Sequence, residues 1–413
     1  MNDSWRRWRW ALFAAMLSLG AFALAVRHDG LFPRMGVNHM KPLFLDLHAI
    51  LAAGQAHQQG IDVYAGNPLD PLGRPHVYGP VWLATGSWGL RMGDASWIGA
   101  CLALVFVGTV IFMFNPRDAR GALIVTGFVL APPVLLGLER ANNDLMIFLL
   151  LAFSAIPIRQ GVVGSWLACV MLSLAAILKF YPAVCLVALF ASGKGLRRPL
   201  LQAVLGAAMI MAFWFVDRVE IARVLGQTPQ PVTIFAYGWR LLQSIWQILV
   251  PERLWLLLTF APSAILAGRW LWRARAELGA ALPLHGTNAA AALAGGTAWV
   301  FCYFSTTNFP YRLVLLLLLW PALRDETGTR GGRQLGWLMF ALAWLALPKF
   351  WLAVLVEKAG ILTDAMHVLS LIVGIDQALA LAVTLAIAWT LWGWMRRWWS
   401  ATVSDPVLLG RSA

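Results

Sequence analysis

Residues able to do chemistry are sparse in this chain and fall in a few short stretches. Between Pro42 and Trp82, carboxylates, histidines and turn residues gather in a sequence that is otherwise 60% hydrophobic and only 12% charged. Leu43, Leu47, Ile50 and Leu51 recur at helical spacing, so the first half of this stretch is expected to be a helix with one apolar face. Asp46, Ala49, Ala53 and His57 share another face, which sets a carboxylate beside small side chains and leaves room for a ligand. A carboxylate so placed can take a proton from an attacking hydroxyl. From Ile61 onward, prolines, glycines, Asp and Asn predict a turn-rich loop.

Three more stretches carry polar groups. Glu139-Arg140-Ala141-Asn142-Asn143-Asp144 is a polar knot between two apolar runs, more than a plain hairpin turn needs. Leu178-Lys179-Phe180-Tyr181-Pro182 and Asn308-Phe309-Pro310-Tyr311-Arg312 each set a cation beside a short, proline-interrupted apolar run. Lys179 also reads as a side chain that snorkels outward on its flexible stem. Together Lys179, Arg140 and Arg312 suit an anion site, Arg contacting phosphate oxygens in pairs and Lys acting as a point charge.

The elements that position these groups lie in a bilayer. Apolar runs reach the roughly 20 residues a helix needs to cross hydrocarbon, and only helices or a closed barrel satisfy their own backbone there. An all-α polytopic protein of about 12 crossings follows. They are expected near 11–26, 95–114, 121–138, 145–158, 162–178, 182–193, 200–216, 254–268, 287–305, 309–323, 334–352 and 376–395. With both termini inside, the inner segments hold 18 basic and 6 acidic residues, among them Arg117, Arg159, Lys194, Arg324 and Arg411, and the outer segments 14 and 13. The net charge of +13 is therefore topological, and a nucleic-acid partner is not expected. The basic, Trp-rich start leads into the first run without a cleavage site, so that run is read as a retained span.

The whole of 1–413 reads as a single transmembrane domain, with a first outer loop at 27–94 and a second at 217–253. Within the first, residues 81–90 are too short to span and are expected as a second interfacial helix. The second carries Arg218, Arg223, Arg240 and Arg253 around Pro229, Pro231 and an amphipathic run at 241–249, and 357–376 forms a third outer segment. Five of the seven histidines, His28, His39, His48, His57 and His76, lie in the first loop, but none forms the close pair flanking a Glu that zinc hydrolases use, so no metal is expected. Cys101, Cys169, Cys185 and Cys302 lie in apolar runs and read as core residues. The span interiors are read as free of ionisable groups, with Arg312, Lys349 and Asp376 counted at the run edges with the outer segments, which speaks against an ion-coupled transporter and for chemistry at the outer surface.

In order along the chain, an outer-loop Asp after the first span, the turn Asn67-Pro68-Leu69-Asp70-Pro71-Leu72-Gly73-Arg74 with Tyr78-Gly79-Pro80 behind it, Glu139 to Asp144, Leu178 to Pro182 and Asn308 to Leu313 resemble glycosyltransferase family 87, the DUF2029 group of the GT-C superfamily. The resemblance covers roughly residues 1–325. The family more often has Asn-Tyr-Pro where this chain has Tyr78-Gly79-Pro80. What the resemblance implies is a GT-C-type membrane enzyme that moves a hexose, mannose favoured, from a polyprenyl-phosphate donor to a lipid or glycan acceptor on the outer face of the plasma membrane, with inversion. On that reading Asp46 is the catalytic base, with Asp144, Glu139 and Asp62 in reserve. Lys179, Arg140 and Arg312 hold the donor phosphate, and Asn142, Asp144, Tyr78, Tyr181, Asn308 and His57 contact substrate. No cofactor is expected; the partners are donor, acceptor and membrane lipid. The alternative is a transporter or flippase of a lipid-linked sugar.

Overall fold

The computed structural model describes residues 3–193, 195–230, 233–248, 253–324, 328–359 and 363–404. Lys194, Pro231 and Arg411 lie outside the described residues. Helix dominates throughout, and among the described residues the one strand-like pairing is an isolated antiparallel bridge between Tyr237 and Asn308. Among the described residues, seven helices are long and apolar enough to cross a membrane: Trp8–Arg27, Met92–Phe114, Gly161–Leu178, Arg197–Val216, Arg253–Gly279, Arg330–Glu357 and Met366–Thr402. This is a polytopic α-helical membrane protein.

Of the other expected crossings, 287–305 is the regular helix Thr287–Ser305, and the rest take less regular forms. The run at 121–138 divides into Ala119–Val129 and Pro132–Arg140, bent by 58°, where paired prolines bar a continuous hydrogen-bond ladder. The run at 145–158 is the 13-residue helix Asn143–Ala155. Both short runs behind the cations are 3-10 helices, Tyr181–Ser192 and Pro310–Leu318. The choice matters for reach: 12 residues extend roughly 24 Å at about 2.0 Å each, against roughly 18 Å as an α-helix. With three residues per turn, side chains also stack in straight rows. Pro182, Cys185, Ala188 and Ala191 form one buried row, Leu186, Leu189 and Ser192 another, and Val184, Val187 and Phe190 a half-buried third.

At the centre stands Thr287–Ser305. Its first turns are a block of alanines, Ala289 to Ala292, all buried, and small residues let neighbours come close in a medium that offers no hydrophobic drive between helices. Tyr181–Ser192, Pro310–Leu318 and the long helix Thr363–Ser404 pack around it. Trp299 donates to Thr384 across one of these seams, at 3.0 Å.

The two ends of the bundle differ. At one, Arg397 donates to the carbonyls of Gly279 and Leu282, and Thr329 to that of Glu277; Arg324, Arg330 and Arg333 belong to the same end. The opposite end carries residues 28–94 folded over the Glu139–Asp144 knot. The first outer loop contains the expected helix, Leu45–Gln58, although Leu43 precedes it. In place of one helix over 81–90 there are two short turns, Pro80–Leu83 and Ala84–Ser87. Gly54 and Gly86 meet back to back here: a Cβ on Gly86 would lie 2.1 Å from the Gly54 carbonyl oxygen. The second loop holds the helices Arg218–Gln227 and Trp239–Ile248. Most of the third expected outer segment is helical, since Ala346–Ala359 runs on past 357 and Thr363–Ser404 begins well before 376.

One expectation fails outright. Lys349 and Asp376, both 0% exposed, form an ion pair at 2.6 Å within the C-terminal helices, so the span interiors are not free of ionisable groups. Lys349 donates also toward Tyr237 Oη at 3.4 Å and the Ile234 carbonyl at 3.3 Å.

Candidate active site

Two backbone irregularities aim the site. Phe44, at φ 64°, occupies the left-handed region, and its N–H donates to the Glu139 carbonyl at 2.8 Å. The helix Leu45–Gln58 starts directly after it, which puts Asp46 in the first turn, where the helix dipole favours a carboxylate. Ala141, at φ 44°, ends the helix Pro132–Arg140 and turns the chain so that Asn142 caps the next one. A non-glycine residue in this region costs on the order of 1 kcal/mol or more and persists only where its surroundings over-determine it. Here each strained residue stands beside a polar side chain that it orients.

Asn142 joins two halves of a polar cluster. Its side-chain NH2 donates to Asp46 Oδ2 at 2.6 Å, and its amide oxygen accepts from the Asp144 backbone N–H at 2.9 Å. Around Asp46, Arg74 Nη1 lies 3.4 Å from Oδ1 and Arg140 Nη1 4.0 Å away. Arg74 is itself held by Asp70, whose two oxygens accept from Nε and Nη2 at 3.1 Å each. Asp70 also closes its own turn by accepting from the N–H groups of Leu72 and Arg74. Around Asp144, Lys179 donates at 2.7 Å, Tyr181 Oη at 2.6 Å, and Arg312 Nε stands 3.6 Å off. Arg312 continues to Asn308 Oδ1, and its guanidinium lies 5.0 Å from the Tyr181 ring centroid. The loop is pressed onto this half, Trp82 Nε1 donating to the Leu178 carbonyl at 3.3 Å.

Charge and exposure are distributed unevenly. Asp46, Asp70, Glu139 and Asp144 balance Arg74, Arg140, Lys179 and Arg312. The side chains of Asp70, Glu139 and Asp144 are at most 1% exposed, whereas the four cations are 14–32% exposed. An incoming ligand therefore meets a cationic rim with the carboxylates behind it. Asp46, at 7%, is the most accessible of the four acids. Tyr78 is half-buried beside them; burial first, then the charge of Asp46, pushes its hydroxyl well above the usual range and keeps it a neutral donor. Behind it His76 is buried, which lowers its imidazole to about 4 against a weak opposing contact with the Gly79 carbonyl.

Of the expected site residues, Asp46, Arg140, Asn142, Asp144, Lys179, Tyr181, Arg312 and Tyr78 come together in this cluster. Four of them are already engaged by protein partners. Asn142, 1% exposed, spends both amide atoms positioning Asp46 and Asp144, and Asp144 is sealed behind its cations. Tyr181 gives its hydroxyl to Asp144. Arg140, with its Nε 3.5 Å from Glu139, belongs to the Asp46 half and not beside Lys179. Asn308 is fully buried and braces backbone, its NH2 donating to the Tyr237 and Cys302 carbonyls. His57 is exposed, 11 residues beyond Asp46 and so roughly 16 Å along the helix. Among the reserve acids, Asp62 pairs with Arg223 at the surface and Glu139 is held by His39 and the Met40 N–H. Asp70, Arg74 and His39 are the residues that the sequence reading left without a task. The four-residue spacing of Asp70 and Arg74 in a proline-bounded turn is the signal that could have found them.

Among the described residues, no group of three His, Cys, Asp or Glu side chains is placed to hold a metal ion. The chain matches no family model, no curated protein and no solved structure. A functional reading therefore rests on the motifs and on this geometry.

Proposed function

We propose that the protein is an inverting membrane glycosyltransferase of GT-C type that takes a hexose, mannose favoured, from a polyprenyl-phosphate donor. On this reading the chain crosses the bilayer about 12 times, the bent pair and the 3-10 helices serving as short crossings. The arginine-rich end faces the cytoplasm. The observation that carries the reading is the arrangement of Asp46: the most accessible acid of a charge-balanced cluster, tied through Asn142 to the half that holds Lys179 and Arg312.

The acceptor hydroxyl attacks the anomeric carbon from the face opposite the phosphate while Asp46 takes its proton. The bond from that carbon to the phosphate oxygen breaks, and the oxygen keeps the electron pair. Lys179 and Arg312 stabilise that charge, and because phosphate leaves as an anion no general acid is required. Arg74 and Arg140 hold the Asp46 carboxylate in place.

Purified protein in lipid vesicles, supplied with radiolabelled polyprenyl-phosphate mannose and cell lipids, is expected to transfer label to acceptor. Asp46→Asn is expected to lower turnover by roughly 10²- to 10⁴-fold with donor binding retained. Full turnover in that variant ends the assignment. The second reading, a transporter of a lipid-linked sugar, draws support from the Lys349–Asp376 pair, since buried ionisable groups mark ion paths in transporters. Label that crosses the bilayer without transfer would select it.

A further inference from the structure

A cavity lies at the arginine-rich end, away from the cluster around Asp46. It encloses about 470 Å³ between the ends of Ala95–Phe114, Ala119–Val129, Asn143–Ala155 and Thr287–Ser305, and its walls are of two kinds. One wall is polar and cationic, with Asn115, Arg117, Asn288 and Arg324. The other is apolar, with Phe112 and Trp320. Arg324 lies over the Trp320 ring, 5.6 Å from its centroid. An adjoining cavity of about 180 Å³ shares Trp320 and Arg324 and adds Arg120 and Arg333. Among the described residues, the acid that lines these cavities is Asp118, which is engaged as a helix cap, accepting from the Gly121 N–H at 2.6 Å. Among the described residues, Arg120, Arg324 and Arg333 thus line the two cavities beside a carboxylate that is already engaged.

The apolar wall decides what kind of anion fits. Phe112 is 62% exposed and continues the face of its helix that carries Leu104 and Val105, 53% and 46% exposed, which is the face turned to lipid. A ligand with a phosphate among the arginines can therefore lay hydrocarbon along Phe112 without meeting water. A volume of this size suits a headgroup, and basic pockets between helices at a membrane surface recognise anionic lipids. We propose that this cavity binds the headgroup phosphate of an anionic phospholipid. Nothing in this assignment depends on the glycosyltransferase reading.

The test is native mass spectrometry of the full-length protein released from detergent, titrated separately with phosphatidylglycerol, phosphatidylcholine and inorganic phosphate. Phosphatidylglycerol is expected to bind more tightly than phosphatidylcholine. Arg117→Gln and Arg324→Gln are each expected to weaken it about fivefold, and the pair roughly 25-fold. Arg324→Lys keeps the charge and is expected to retain most of the binding, while Arg223→Gln, at the far end of the molecule, changes nothing. Equal affinity for the two lipids, or variants that bind like the parent, overturns the proposal. So does saturation by inorganic phosphate alone at lipid-like concentrations, which would assign the cavity to a free anion.

Discussion

Asp376→Asn removes one charge from a pair that has no access to water. Lys349 would keep only the Ile234 carbonyl, Tyr237 Oη and the new amide as partners for a buried ammonium. Stranding one member of a buried pair costs about 3–5 kcal/mol, whereas replacing both by apolar groups of similar size is neutral or stabilising by about 1–4 kcal/mol. The two single variants, Asp376→Leu and Lys349→Met, should therefore each be strongly destabilised, and the double variant should recover most or all of the loss. Denaturation of the detergent-solubilised protein, read as a double-mutant cycle, measures this directly. Losses that simply add would refute the claim that the two groups interact as a closed pair. The same double variant separates the functional readings. If the pair is a strut behind the Tyr237–Asn308 bridge, sugar transfer survives; a stable double variant without activity would point to ion coupling.

Three further outcomes follow from the geometry. Arg74→Lys keeps a charge but loses the paired contact to Asp70, and is expected to lower kcat roughly 10- to 100-fold with KM for donor little changed; unchanged kcat would remove Arg74 from the site. His76 is depressed to about 4 in the folded protein, so its unfolded form binds the proton first as pH falls. His76 thus contributes stability that is fully present above about pH 6.5 and is lost progressively toward pH 4, by about 3 kcal/mol in total, and His76→Gln should flatten the pH-dependence of melting by that share, the depressed His48 and His285 keeping theirs. Gly86→Ala forces a methyl against the Gly54 carbonyl and is expected to cost about 1–3 kcal/mol, with activity falling as the helix bearing Asp46 shifts; a variant as stable as the parent would show that the contact yields.

Much of this was readable from residue order because it is local. The apolar runs announce helices, and Asp46, the Glu139–Asp144 knot, Lys179 and Arg312 stand out against them. Partnership was not readable. Asn142 looked like a substrate contact because nothing in its neighbours says that Asp46, 96 residues earlier, takes its amide. Helical periodicity put His57 on the face of Asp46 correctly but says nothing of the three turns that separate them. Nor does residue order say that Lys349 pairs with Asp376, since that partner comes from another helix. Span lengths were judged at α-helical rise, a measure that undercounts the reach of Tyr181–Ser192.

That stretched segment has a further consequence, for how its length can change. Its burial repeats every third residue, so inserting or deleting one position would turn everything beyond it by a third of a revolution and swap a packed row for a neighbouring one. An ordinary α-helix can absorb part of such a shift by sliding or supercoiling, but a three-fold ratchet has no intermediate setting. Descendants of this chain can vary the side chains of the segment row by row, yet its residue count is locked, and with it the depth at which Lys179 stands.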